Sequence, residues 1–547
     1  VTTNGARAGW RLRTALGGIA AVLLLLPAAL HAQVDTAWVR RWDGPVHAED
    51  WTECVGIDPS GNVIVCGASN QDPDPDSVDV DFVTVKYLPN GDTAWVRILD
   101  FGDDAAIPKK LIVDDAGNSY VAGLANAAIV LLKYSANGTV LWQRPIRENS
   151  IGGLVQDAAG NLLLCGGVAY GNGFVRKYGA DGDSIWARSY DLTPWPDWYA
   201  DLAVDEAGYV YVVGSCLYEW TEERCLTFKC DSDGAVLWWT SYGSQVEHEW
   251  LTRATLDDSG NLMAIGRSYG VNDRDYLTLK QSATGETLWT RRYNGTANGR
   301  DEARAVAVDS AGNVYVTGSA DYGGTNTDYT TIKYRPDGSV AWLARYDSPA
   351  HSGDGAYDIV VGSDCRAYVT GSSYTPITSN DCATICYDSL GDTVWVRRYN
   401  SPNNGSEYAR TIALGPGDAV CVAGQGILPP SYFSDMLVIK YAPLGAVAEP
   451  SVPSPSGPAA ALTASPNPCR THAAVRWQPQ DARPARIAIL DALGRPVRVL
   501  LDGSVPVRGE ILWDRTDADG QRVPAGVYFV ELVTGGRSLR AKLLVID

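Results

Sequence analysis

Three observations predict an all-β fold for this 547-residue chain. Runs rich in Val, Thr and Tyr recur eight times at intervals of roughly 43 to 56 residues, the spacing of propeller blades. A tryptophan marks the last strand of each unit. One such tryptophan strand stands at the front of the chain, before any complete unit. Together they predict an eight-bladed β-propeller closed by its N-terminal strand, with a second, smaller β domain behind it.

Residues 301–346 show the unit most clearly: RAVAVD and NVYVTGS joined by a Ser-Ala-Gly turn, then DYTTIKY, an Arg-Pro-Asp-Gly turn, and SVAWLARY. Branched and aromatic side chains suit a pleated, half-buried surface. Aligning on the glycine that ends the second strand gives Gly67, Gly123, Gly166, Gly214, Gly266, Gly318, Gly371 and Gly424. The tryptophans are Trp38, Trp95, Trp142, Trp186, Trp238, Trp289, Trp342 and Trp395. Trp38 precedes the first unit and the eighth, residues 408–441, has no tryptophan strand after it. The strand near 34–42 is therefore expected to complete the last blade and remove two free sheet edges. In the first hairpin, the place of Asp309 holds Asp58, Asp114, Asp157, Asp205 and Asp257. The place of Gly312 holds Gly61, Gly117, Gly160, Gly208 and Gly260. Asp accepts hydrogen bonds from amides further along the turn, and Gly takes positive φ at its end. Units seven and eight carry Gly362 and Gly415 in place of the Asp, so their hairpins are expected to differ.

The ends read differently. Residues 1–32 have a basic start, an apolar run near 16–30 and a closing Ala-Leu-His-Ala, the pattern of a signal peptide cut after Ala32. The run is shorter than the ~20 residues a spanning helix needs, and the initial Val fits an alternative start codon. No cysteine lies near the cut, which argues against lipid anchoring. The formal charge of −19 becomes −22 without Arg7, Arg11 and Arg13, which excludes nucleic acid or an anionic membrane as the expected partner. The expected domains are a signal peptide (1–32), the propeller (33–445), a Pro/Ser/Ala-rich linker (446–460) and a β-sandwich (461–547).

AVAVDSAGNVYVTGS followed by DYTTIKY resembles the bacterial SBBP-type propeller repeat, with decreasing fidelity over residues 34–445. SATGETLWTRRY is also similar, more weakly, to repeats of quinoprotein dehydrogenases and of the outer-membrane assembly propeller. In the last domain, SPNP (465–468), ILDALGRPVRVL (489–500), WDRTDADGQRVPAGVYFVEL (513–532) and LRAKLLVID resemble the Ig-like domain of flagellar hook-capping proteins. They are equally similar to C-terminal sorting domains of type IX secretion substrates. The resemblance implies a small Ig-like β-sandwich serving attachment or sorting. Asp517, Asp519 and Gly520 lack the further spaced ligands of a calcium loop and read as a tight turn.

Chemistry has one recurring address, where a carboxylate enters the first strand of six blades: Asp50, Asp197, Glu249, Asp301, Asp354 and Glu407. An aromatic follows in four: Trp51, Trp198, Trp250 and Tyr408. One reading is a rim that stacks on sugar rings or attracts cations. The other is structural: acids hold loop amides and aromatics wedge between blades, a duty that recurrence in so many blades favours. Cys54 and Cys66 should face each other across the first hairpin, and Cys216 and Cys225 flank an ornate loop. Each pair is a candidate disulfide or two buried thiols. Seven lysines (Lys86, Lys133, Lys177, Lys229, Lys280, Lys333 and Lys440) share one third-strand position, and a structural duty is again the favoured reading over anion binding. Cys382 and Cys386 have no second pair or histidine at ligand spacing, so no metal site is expected. No nucleophile elbow, P-loop lysine or dinucleotide fingerprint occurs, so no catalytic residue and no cofactor is expected.

The expectation is a monomeric, non-enzymatic, exported binding or scaffolding module at the cell surface or outside the cell, with the periplasm as second choice. Carbohydrate or a surface protein is its expected partner. The rivals are a polysaccharide hydrolase or lyase using the acidic rim, and a quinoprotein-like dehydrogenase.

Overall fold

The computed structural model describes residues 34–547, apart from 73–78, 103–104, 168–170, 220–221, 244–247, 270–272, 324–325, 403, 428–432, 444–460, 466–468, 479–483, 492–494, 505–508, 535–536 and 546–547. The signal peptide and linker read from the sequence lie outside the described residues, as does most of SPNP. The chain divides into two compact units, Val1–Val447 and Ala448–Asp547. Among the described residues no helix is long and apolar enough to cross a membrane.

The first unit contains eight four-stranded antiparallel sheets. Seven are consecutive quartets, of which the first is Asp50–Ile57, Val63–Asn70, Val80–Tyr87 and Thr93–Leu99. The eighth takes Ser406–Gly415, Ala419–Ile427 and Ser434–Pro443 from the end of the unit. Its fourth strand is Val34–Trp42, whose Val39 lies opposite Ile439 and Arg41 opposite Leu437. Each sheet packs its first strand against its neighbour, and the first strand of sheet one packs on three strands of sheet eight. This succession of sheets is a β-propeller. The middle strands are almost wholly buried, as Val63–Asn70 and Val80–Tyr87 are throughout. That burial explains their near-continuous apolar runs, where a half-exposed strand would alternate.

The recurring residues have local reasons. The Asp309 carboxylate accepts the Ala311 and Asn313 amides, at 3.0 and 2.9 Å, and Asp58 repeats the pattern with Ser60 and Asn62. The seventh hairpin lacks that Asp and places Cys365 at φ 62, while the eighth turns through a 3-10 segment, Pro416–Asp418. In seven sheets the recurring second-strand glycine lies under a bulge in the first strand, where a Cβ on Gly214 would overlap the Trp198 carbonyl oxygen.

Joints between sheets repeat one arrangement. The indole N–H of Trp95 donates to the Ala136 carbonyl in the next sheet at 3.1 Å. Trp142 to Ala180 (3.1 Å), Trp186 to Ser232 (2.8 Å) and Trp289 to Pro336 (2.9 Å) do the same. Trp38, in sheet eight, donates to Pro89 of sheet one at 2.9 Å. Each of these carbonyls belongs to a hairpin whose glycine covers the indole. Gly138 has φ +81, and a Cβ there would sit 2.6 Å from the Trp95 ring.

The second unit has a three-stranded sheet (Ala461–Ser465, Ala473–Gln478, Gly509–Trp513) and a four-stranded sheet built on Pro484–Leu490 and Gly526–Thr534. Val475, Trp477 and Trp513 from one and Ile487, Ile489, Val530 and Leu543 from the other share one core. The 517–521 segment is a tight turn, with Gly520 at φ 76 and its amide on the Asp517 carbonyl.

Gly138→Val combines left-handed strain with collision against Trp95. Chemical denaturation should show a loss of about 2–4 kcal/mol; a variant as stable as the parent would show that the joint yields freely.

Candidate functional site

Antiparallel alternation brings the connections between successive sheets to the same end as the loops joining second to third strands. The six carboxylates sit at that end, at or beside the start of each first strand. All are 0–1 % exposed. Five reach back to an amide at the start of their own loop. The Gly44 N–H donates to Asp50 at 2.6 Å, Leu192 to Asp197 at 3.0 Å, and Gly295 to Asp301 at 2.6 Å. Ser348 donates to Asp354 at 2.7 Å and Ser401 to Glu407 at 3.2 Å. Glu249 instead accepts the Ser268 hydroxyl at 2.8 Å and pairs with Arg292.

Burial is the main cause that raises the five acids held by loop amides. Asp50 is pushed up to about 7, with Ser69 and Gly44 opposing and Asp43 and Asp435 adding. Asp301 is pushed up to about 6 against the Gly295 and Asp321 amides, and burial also raises Asp197, Asp354 and Glu407.

The aromatic neighbours point the other way, since successive side chains of a strand take opposite faces. Trp51, Trp198, Trp250 and Tyr408 all keep part of their surface exposed. The Trp51 indole donates to Glu53 at 3.0 Å. The Arg267 guanidinium lies 5.2 Å from the Trp250 ring, and the Tyr408 hydroxyl accepts Asn380 at 2.8 Å. The rim read from the sequence therefore separates into a buried acid layer and a part-exposed aromatic layer.

Two acid groups emerge only in three dimensions: Asp43, Asp50 and Asp435, and Asp328, Asp347 and Asp354. In each, one oxygen per residue lies within 4.8 Å of the others. The sequence signal for them is a shared Asp-x-Pro-x-His-x-x-Asp spacing over 43–50 and 347–354.

The cysteine pairs part company. Cys54 lies directly opposite Cys66 in the strand register, beside a common apolar cluster. Cys216 lies opposite Arg224 and Cys225 opposite Ser215, so these two project to opposite faces and into separate cores. Of the two readings of this pair, the hairpin register favours two buried thiols over a bridge. All eleven cysteines are free thiols in the structure.

Five of the seven third-strand lysines are ion-paired within their own sheets, as Lys86 with Asp58 (2.9 Å), Lys177 with Asp157 (2.9 Å) and Lys280 with Asp257 (3.0 Å), while Lys133 and Lys440 donate to the Ala180 and Gly61 carbonyls. Burial works to raise Asp58, but the Asn62 and Lys86 hydrogen bonds prevail and hold it below its ordinary value.

A family model described as a β-propeller repeat, SBBP, matches residues 288–322. No curated protein matches the chain in sequence. Among solved structures, the Dos1 propeller is similar at 11 % identity and TM-score 0.47, over 74 % of this chain and 95 % of that one. The C-terminal WD40 domain of Sif2 gives 9 % and 0.46, over 74 % and 97 %. PorZ, a surface component of the type-IX secretion system of Porphyromonas gingivalis, gives 14 % and 0.37, over 91 % and 74 %.

The two sets of shifts set opposite pH dependences. Raised acids such as Asp301 add stability that is full below 3.8 and lost as pH rises through about 6. Lowered hairpin acids such as Asp309 add stability present above 3.8 and lost as pH falls below it. In chelator, Tm should rise from about pH 8 to about pH 5 and drop sharply below about pH 4. Asp301→Asn should lower Tm and flatten the rise; an unchanged slope would show that Asp301 does not titrate there.

Proposed function

We propose that this chain is a non-enzymatic, exported binding or scaffolding module. It is built as an eight-bladed propeller closed by its N-terminal strand and carries an Ig-like C-terminal domain for attachment or sorting. The observation that carries the reading is the separation of the rim. Its six carboxylates are buried, and five clasp amides of their own loops, so they are poorly placed to exchange protons with a bound glycan. The aromatics beside them keep exposed ring surface, which suits stacking on sugars or packing against a surface protein.

Export rests on the leader pattern of residues 1–32, and the attachment role on the resemblance of the final domain. Closure is supported by the pairing of Val34–Trp42 with Ser434–Pro443 and by the Trp38 hydrogen bond to Pro89.

The binding reading is tested with a glycan array and a pull-down on the mature chain. Trp51→Ala, Trp198→Ala and Trp250→Ala combined should abolish capture while leaving the circular dichroism spectrum unchanged. Capture equal to the parent's would sink the aromatic rim. Closure is tested by deleting residues 34–42, which should expose the edge at Ser434–Pro443 and cause self-association in sedimentation. A monomer with the parent's Tm would refute it.

A further inference from the structure

The two acid groups are one construction used twice. Each takes one Asp from a third strand (Asp435, Asp328), one from just after the following tryptophan strand (Asp43, Asp347), and one from the next sheet's first strand (Asp50, Asp354). The intervening loops share their turn. The His47 amide donates to the Gly44 carbonyl at 3.1 Å and the His351 amide to Ser348 at 2.8 Å, with both histidines at positive φ. Each imidazole Nδ1 then lies against the loop's first Asp, at 2.6 Å from Asp43 and 2.9 Å from Asp347.

Beyond the acids themselves, buried oxygens gather without partners. Ser348 and Ser373 are wholly buried with their hydroxyls beside the Asp354 carboxylate, near enough to oppose the rise of its pKa but without the geometry of a full hydrogen bond. One oxygen of Asp354 and one of Asp347 are buried and unpartnered as well. In the other group an oxygen of Asp50 is in the same condition, with Ser69 beside it. Unpartnered buried oxygens are costly, and a cation among the acids would partner several of them at once.

Sister loops supply an internal contrast. Where the first Asp and the His are Asn294 and Asn298, the two amides bond each other at 3.1 Å. Asp301 there has both oxygens on backbone amides, Gly295 at 2.6 Å and Asp321 at 2.7 Å. The Asn400 and Asn404 loop is similar, bonded at 2.8 Å, and Glu407 there accepts Ser401 and Arg41. The scaffold is therefore satisfied in the 294–301 loop, leaves one buried oxygen of Asn400 without a partner in the 400–407 loop, and is least complete around Asp347 and Asp354.

We propose that the Asp-x-Pro-x-His-x-x-Asp loops hold two calcium-type cations, one among Asp43, Asp50 and Asp435 and one among Asp328, Asp347 and Asp354. The donors are all oxygens, the set a hard cation takes. Ligands on opposite sides of Ca²⁺ stand about 4.8 Å apart at metal–oxygen distances of about 2.4 Å, and in each group one oxygen per acid lies within that distance of the other two. Charge agrees. Arg345 pairs with Asp328 and Asp347, so three carboxylates and one guanidinium leave −2, the complement of a divalent ion. In the other group Arg41 is shared between Asp435 at 3.7 Å and Glu407 at 3.0 Å, which leaves the three acids less compensated still. Each cation would fasten the first strand of one sheet to the third strand of its neighbour. The inference goes beyond the binding reading above and does not depend on it.

Calorimetric titration of the chelator-treated full chain with CaCl₂ tests it. The native chain should bind two Ca²⁺ and gain Tm as calcium rises. Asp347→Asn with His351→Asn, which installs the pair the chain already uses at 294 and 298, should bind one. Adding Asp43→Asn and His47→Asn should bind none, with an unchanged circular dichroism spectrum in chelator. No heat and no Tm shift in the native chain at millimolar calcium overturns the proposal. So does a stoichiometry that stays at two in the fourfold variant, or Mg²⁺ binding as tightly as Ca²⁺.

Discussion

The bond that seven indole N–H groups make to a hairpin carbonyl in the next sheet is the constraint on which the propeller unit depends. A hydrogen bond of this kind contributes only about 1 kcal/mol net. Its weight comes from what it fixes. The donor lies on a fourth strand and the acceptor on the neighbour's hairpin, so the bond sets both the height and the rotation of one sheet against the next. The glycine that covers the indole then has no freedom to change, because a side chain would meet the ring at van der Waals overlap. The buried lysine beneath reaches the same carbonyl, as Lys86 does at Ala136 (3.2 Å) and Lys133 at Ala180 (3.1 Å). A lysine head buried in this way needs a carboxylate, and in five sheets the hairpin Asp supplies it. Tryptophan, glycine, lysine and aspartate therefore recur together because each satisfies a need created by another.

The opposite end of the sheets is built on a different economy. There the first-strand acid holds its own loop, and the cost of burying it appears as a raised pKa. Most of these acids recover part of that cost from backbone amides. Asp50, Glu249 and Asp354 each keep one buried oxygen without a partner, and of these three, among the described residues, only Asp50 and Asp354 stand in a group of three acids. A structural layer repeated around the unit can thus carry a local departure, and the departure is more informative than the repeat.

Much of the fold was legible because its constraints are local. Positive φ at Gly61 or Gly312 and the amide-accepting Asp beside it belong to single hairpins, so short motifs reveal them. The displaced Trp38 strand was legible by counting, and it pairs with Ser434–Pro443. The rim was less so. Alternation along a strand tells that Asp50 and Trp51 face apart, but not which of them faces inward. Cys216 and Cys225 were misread for a related reason. Nine positions apart in a hairpin, they are offset by one residue from facing, and one residue is enough to put them on opposite faces. The Asp triads draw on three strands of two sheets, a distance in sequence of nearly four hundred residues between Asp43 and Asp435, which no local pattern spans.

The pairing of Val34–Trp42 with Ser434–Pro443 also orders events in time. The first strand of this unit to leave the ribosome has its partner at the far end, so it must wait unpaired while every other sheet is made. Seven sheets can form from neighbours in sequence; the eighth requires the two ends to meet, a contact of high order and therefore a slow one. Until then both edges stay available to other chains. The strand that begins the unit and the strand that ends it share one edge, open to other chains until the two meet.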